Sequence, residues 1–144
     1  MGIVRAICIS ERKGTQKNFI EEAMFIENYG IKNDAHAGNW HRQVSMLSAE
    51  TISDFNAQGA DVANGAFGEN LIIEGIELTQ FPIGTRFRCN EVELELTQIG
   101  KECHDRCLIY YKMGDCIMPK NGVFTKVLKG GLIKVGDYIH VESN

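Results

Sequence analysis

A chain of 144 residues is close to the commonest size of one globular domain, and it can bury a sizeable core without disulfide or metal staples. Its hydrophobic fraction of 44% and charged fraction of 24% are ordinary for a soluble protein. The formal net charge of -4 comes with scattered cations and no Lys/Arg-rich stripe, which argues against a nucleic-acid partner. No apolar run reaches the roughly eighteen residues of a membrane span, and the apolar part of the N-terminus is too short for a signal peptide.

Five cysteines are an odd number for a disulfide framework, so reduced thiols in a cytoplasmic setting are expected. Cys8 and Cys89 lie in strand-like apolar surroundings and read as buried small hydrophobes. Cys103, Cys107 and Cys116 cluster in a polar stretch and call for chemistry.

In chain order, Ile3–Ser10 is short and β-branched, the profile of a strand. A polar loop, ERKGTQKN, follows. Phe19–Tyr29 fits helix and strand equally, because a short apolar run does not separate the two periods. Gln43–Leu47 reads as a strand. Ser48 then stands as an N-cap with Glu50 in the first turn, and Gly59 as a stop, predicting a helix from Ala49 to Gln58. Beyond Asn70 the chain is mostly β. Asn70–Glu74 is an apolar run, and Thr85–Cys89 and Val92–Thr97 flank a turn at Asn90-Glu91. Val92-Glu93-Leu94-Glu95-Leu96 alternates strictly, and a last pair of strands turns at Gly136-Asp137. Many short strands with glycine-containing turns predict a mainly β fold, a barrel or folded sheet with one or two short helices. No linker or low-complexity segment divides it, so residues 1–144 are expected to form one domain.

The reactive candidate is Cys103, in Gly100-Lys101-Glu102-Cys103-His104-Asp105-Arg106-Cys107. A thiolate is the nucleophilic form, and the cations Lys101, His104 and Arg106 favour it. On a helical turn Cys103 and Cys107 would share a face, so one thiol could carry sulfur and the other resolve it as a disulfide. A zinc site using Cys103, His104, Cys107 and Cys116 is a rival reading, but the spacing supplies only one close cysteine pair. A second cluster, Asn33 to Gln43, offers Asp34, His36, His41 and Arg42 as acid, base and anion-binding groups. Composition equally allows a polar turn with Trp40 tucked against the barrel. A third cluster, Gly65-Ala66-Phe67-Gly68-Glu69-Asn70, has glycines that suit a turn or a close approach.

Taken in order, Asn33-Asp34-Ala35-His36-Ala37-Gly38 with Arg42-Gln43-Val44-Ser45, then Gly65-Ala66-Phe67-Gly68-Glu69-Asn70-Leu71, then Gly100-Lys101-Glu102-Cys103, then Gly122-Val123-Phe124 and the closing Gly131-to-Asp137 turn, resemble the MOSC family. This is the domain named after the C-terminal part of molybdenum cofactor sulfurases, and the small stand-alone bacterial members are the nearest likeness. The resemblance implies a MOSC-type β-barrel in which Cys103 carries sulfane sulfur as a persulfide, with Cys107 beside it. It implies that the chain binds or services molybdenum cofactor (molybdopterin). His36, Arg42 and Lys101 are then candidates for holding an anionic pterin phosphate or the sulfurated thiol, with Glu69 and Asn70 in the matching third segment. The pyridoxal-phosphate domain of the full sulfurases is missing from this sequence, so a separate cysteine desulfurase is the expected donor, and a molybdenum enzyme or its cofactor the acceptor. A small molybdenum-cofactor oxidoreductase and a zinc-stabilised adaptor stand as alternatives. The sequence departs from the family pattern at Asn33, where a glycine is expected, and at Ala66, where a larger and often basic residue is expected.

Overall fold

The β-branched N-terminal segment forms strand β1 (Gly2–Ile9), and around it the barrel is organised. The computed structural model describes residues 1–12, 17–59, 64–65, 67–100 and 122–142. After β1 come β2 (Asn18–Ile20), β3 (Glu22–Ile26), β4 (Gly30–Ile31) and β5 (Val44–Ser48). A helix, α1 (Ala49–Ala57), leads to β6 (Leu71–Glu74), and a 3-10 turn at Leu78–Gln80 leads to β7 (Arg86–Cys89) and β8 (Val92–Ile99). The chain closes with β9 (Val123–Lys129), β10 (Gly131–Lys134) and β11 (Tyr138–Val141).

Seven strands close a barrel in the order β11-β7-β8-β9-β5-β6-β1, with β11 pairing back onto β1 through Gly2↔Ile139 and Ile3↔Tyr138. The same edge of β1 carries β2 at its far end, through Ile7↔Ile20 to Ile9↔Asn18. Only β5 and β6 run parallel in the barrel. Parallel neighbours need a long crossover, and α1 lies in it. A second sheet, β10-β3-β4, is separate.

Two cores result. One fills the barrel with Val4, Ile7, Val44, Met46, Leu71, Ile73, Phe87, Leu94, Leu96 and Val127, and extends to Phe25 and Ile133 of the small sheet. The other lies under the helix, where Ile52 and Phe55 pack on Ala6, Cys8, Leu47, Ile72, Phe67 and Phe124. A β-bulge between Val4 and Ala6 explains how β1 serves both. It adds a residue to the alternation, so Val4 and Ile7 face the barrel core while Ala6 and Cys8 face the helix.

Phe19–Tyr29, which fitted either period, is extended. Ala23 and Phe25 are buried while Glu22, Met24 and Ile26 are exposed, the period-2 pattern of a half-buried sheet, and Asn28 turns the chain at φ 52°. The expected helix is present, one residue shorter than predicted. Ser48 takes the extended backbone of an N-cap, yet its hydroxyl donates to the Ile76 carbonyl (3.0 Å) and caps nothing. Its side chain ties the helix entry to the turn after β6. The thiols of Cys8 and Cys89 are buried as expected, at 0% and 1% exposure.

Candidate functional site

Two of the segments singled out from sequence, 33–45 and 65–71, meet around the ends of β1, β5 and β6. Asn70, immediately before β6, is the joint. Its Oδ1 accepts from the Ser45 amide (2.9 Å) and hydroxyl (3.2 Å). Its Nδ2 donates to the Cys8 carbonyl (3.0 Å) and to Asp34 Oδ2 (3.1 Å). Glu69 is fully buried, and its two oxygens accept the amides of Gly65 (3.0 Å) and Phe67 (3.0 Å). Burial pushes the Glu69 carboxyl upward, opposed by those amides and by the nearby Lys17 charge. Both side chains hold the frame of the site from inside.

Beneath the 33–43 loop lies a cluster that sequence reasoning missed. Lys17 and Asp34 form an ion pair at 2.6 Å with both side chains wholly buried. Lys17 Nζ also donates to Ser10 Oγ (3.3 Å) and sits 2.9 Å from His36 Nδ1. Asp34 Oδ1 additionally accepts the Ser10 amide (3.1 Å). Nothing in ERKGTQKN marks Lys17 among its neighbouring cations, because the partners that bury it lie 7, 17 and 19 residues away. The Lys17 backbone passes so close to Gly65 (φ 88°) that a Cβ there would collide with the Lys17 carbonyl, which gives this glycine its reason.

The loop is clamped by its own turns and by β8. Ala35 N donates to the Ser10 carbonyl (2.8 Å), Gly38 N to the Tyr29 carbonyl (2.7 Å), and Trp40 Nε1 to the His36 carbonyl (2.8 Å). Trp40 is 36% exposed, with the Arg42 guanidinium against its ring. The His41 carbonyl accepts the Thr97 hydroxyl, and His41 Nε2 pairs with Gln98 Oε1 (2.8 Å). Gln98 in turn donates to the Gly100 carbonyl (2.7 Å), and Gly100 N bonds the Gly122 carbonyl (2.6 Å). The clamp thus runs from the histidine loop to the two residues that flank 101–121.

Arg42 stands beside this clamp. Its guanidinium carbon lies 5.4 Å from the Trp40 ring centroid and 5.5 Å from that of Phe124, an aromatic pair that suits a cation. Its Nε is buried and has no hydrogen-bond partner among the described residues, a position an anionic acceptor would satisfy. Lys101, Cys103, Cys107 and Cys116 lie outside the described residues, as does Ala66.

Fold and site together define a small closed β-barrel protein in which loop residues from distant parts of the chain are joined by a buried polar network. Residues 33–140 match the MOSC domain family, and the chain belongs to it. No curated protein sequence matches the chain. Among solved structures, the YuaD protein of Bacillus subtilis superposes with a TM-score of 0.76 at 20% identity, covering 100% of this chain and 97% of that one. YiiM of Geobacillus stearothermophilus gives 0.73 at 15% identity, covering 99% and 76%, and YiiM of Escherichia coli gives 0.65 at 19% identity, covering 97% and 70%. At these identities the likeness speaks for the fold. No helix among the described residues is long and apolar enough to cross a membrane.

Proposed function

We propose that the protein is a sulfur carrier that services molybdenum cofactor, with Cys103 as the residue that bears the sulfur. The observation that supports this most is Arg42. A guanidinium close to two aromatic rings, with a buried Nε that has no hydrogen-bond partner among the described residues, suits an anion, and it stands next to the clamp that flanks the cysteine-bearing segment. The residues present therefore fit an anionic group such as a pterin phosphate. Arg42 and His36, with Lys101, are the side chains to hold it, while Glu69 and Asn70 keep their loops in place. The cofactor, as acceptor substrate, supplies the molybdenum centre to which sulfur is delivered.

In this reading the Cys103 thiolate attacks the outer sulfur of a persulfide on a cysteine desulfurase. A new S–S bond forms at Cys103, the donor's S–S bond breaks, and the donor cysteine leaves as a thiolate, so no outside oxidant is consumed. Delivery to the acceptor follows by attack of Cys107 on Cys103, which releases the sulfur as hydrosulfide and leaves a disulfide for a thiol reductant to reopen.

Intact-protein mass spectrometry after incubation with a cysteine desulfurase and cysteine tests this. Wild type should gain about one sulfur, reversibly with reductant, and Cys103→Ser should gain none. No gain in wild type overturns the carrier reading.

A further inference from the structure

The Lys17 ammonium has three protons and three neighbours: Asp34 Oδ1 at 2.6 Å, His36 Nδ1 at 2.9 Å and Ser10 Oγ at 3.3 Å. A wholly buried ammonium paired with a wholly buried carboxylate keeps its charge through that pair, and an ammonium has donors only. Its contact with His36 therefore has one sense. The Nδ1 atom accepts, and a neutral His36 carries its proton on Nε2. The opposite tautomer would set an N–H against an N–H at 2.9 Å, beside a positive charge.

We infer that Lys17 is a positioning residue that fixes His36 as the neutral tautomer protonated on Nε2. The other partners make the arrangement rigid. Asp34 is held by the Ser10 amide on Oδ1 (3.1 Å) and by Asn70 Nδ2 on Oδ2 (3.1 Å), so it cannot swing away from the lysine. The turn that carries His36 is pinned by Ala35 N on the Ser10 carbonyl and by Trp40 Nε1 on the His36 carbonyl. The tautomer does not rest on the function proposed above.

The test is long-range ¹H–¹⁵N correlation of histidine-labelled protein at neutral pH, with the His36 signals assigned by their loss in His36→Gln. Wild type should show His36 as a single neutral tautomer with the proton on Nε2. A proton on Nδ1, or a fast-averaged mixture, overturns the inference. Lys17→Met should release His36 into a mixture of states, and persistence of the wild-type tautomer there would equally overturn it. Should Lys17→Met fail to fold, Lys17→Arg, which keeps a cationic donor, should retain the Nε2-protonated form, and loss of that form would count against the lysine's role. Sulfur loading of Cys103 is scored separately by mass. An Nε2 tautomer without sulfur uptake leaves the inference standing and sinks the carrier reading, and the reverse result does the opposite.

Discussion

Asn33 shows how a single residue can depart from a family pattern without departing from its geometry. The family form has glycine before the aspartate, and here the position adopts φ 72°. Left-handed backbone is costly for most residues, but asparagine tolerates it better than any residue with a larger or branched side chain. The substitution thus preserves the turn that delivers Asp34 to Lys17. Asn33→Gly should leave stability within about 0.5 kcal/mol of wild type, whereas Asn33→Val should cost about 1–2 kcal/mol, read as a shift in urea midpoint at unchanged slope. Arg42 illustrates a different use of one side chain. Its buried Nε has no partner among the described residues while two ring centroids lie within 5.5 Å of its guanidinium carbon, and a buried unsatisfied donor carries a desolvation cost.

At the scale of elements, the Lys17–Asp34 pair ties the segment before β2 to the loop between β4 and β5, and Asn70 ties that loop to β6. Breaking a buried pair on one side leaves a charge without water or partner. Lys17→Met and Asp34→Asn should therefore each destabilise by about 3–5 kcal/mol. The double variant Lys17→Met/Asp34→Asn should cost less than the sum, because it removes both charges together. Chemical denaturation of the four proteins measures the coupling, and strict additivity would deny the pair its role. By contrast Arg5 and Glu74 bridge at 2.6 Å on the surface with half-exposed side chains, and such pairs contribute little.

For the whole molecule, closure through β1 and β11 encloses the barrel core, while the helix covers a second core that holds Cys8. Both described thiols pay for that enclosure by losing access to their charged form. Burial foremost, with Glu69 acting on Cys8 and Asp137 on Cys89, pushes each thiol from 9.0 to about 12. A group raised on folding contributes stability that is complete below its unfolded value and is lost as the pH climbs through the folded one. Stability should therefore decline between about pH 9 and pH 12, and more steeply in wild type than in Cys8→Ala/Cys89→Ala, followed by urea unfolding across that range. Alkylation at pH 8 should leave both thiols unmodified until the protein unfolds, in line with an inert packing role.

The sequence alone determined what depends on neighbours in the chain. Strict alternation in Val92–Leu96, the Asn90-Glu91 and Gly136-Asp137 turns, and the Ser48–Gly59 helix boundaries are local signals, and the strands, turns and helix stand where they indicate. The ordered motifs also disclosed the family, and the apolar settings of Cys8 and Cys89 disclosed their burial. Other features depend on residues far apart in sequence. The fate of Phe19–Tyr29 was settled by a partner strand more than a hundred residues away, since Phe25 faces Gly131 and Met24 faces Leu132. The bulge in β1 that divides its side chains between two cores is set by pairing with β6. Lys17 became a site residue only when the closed barrel brought Ser10, Asp34 and His36 around it, because a buried charge is defined by its partners and those are chosen by the fold.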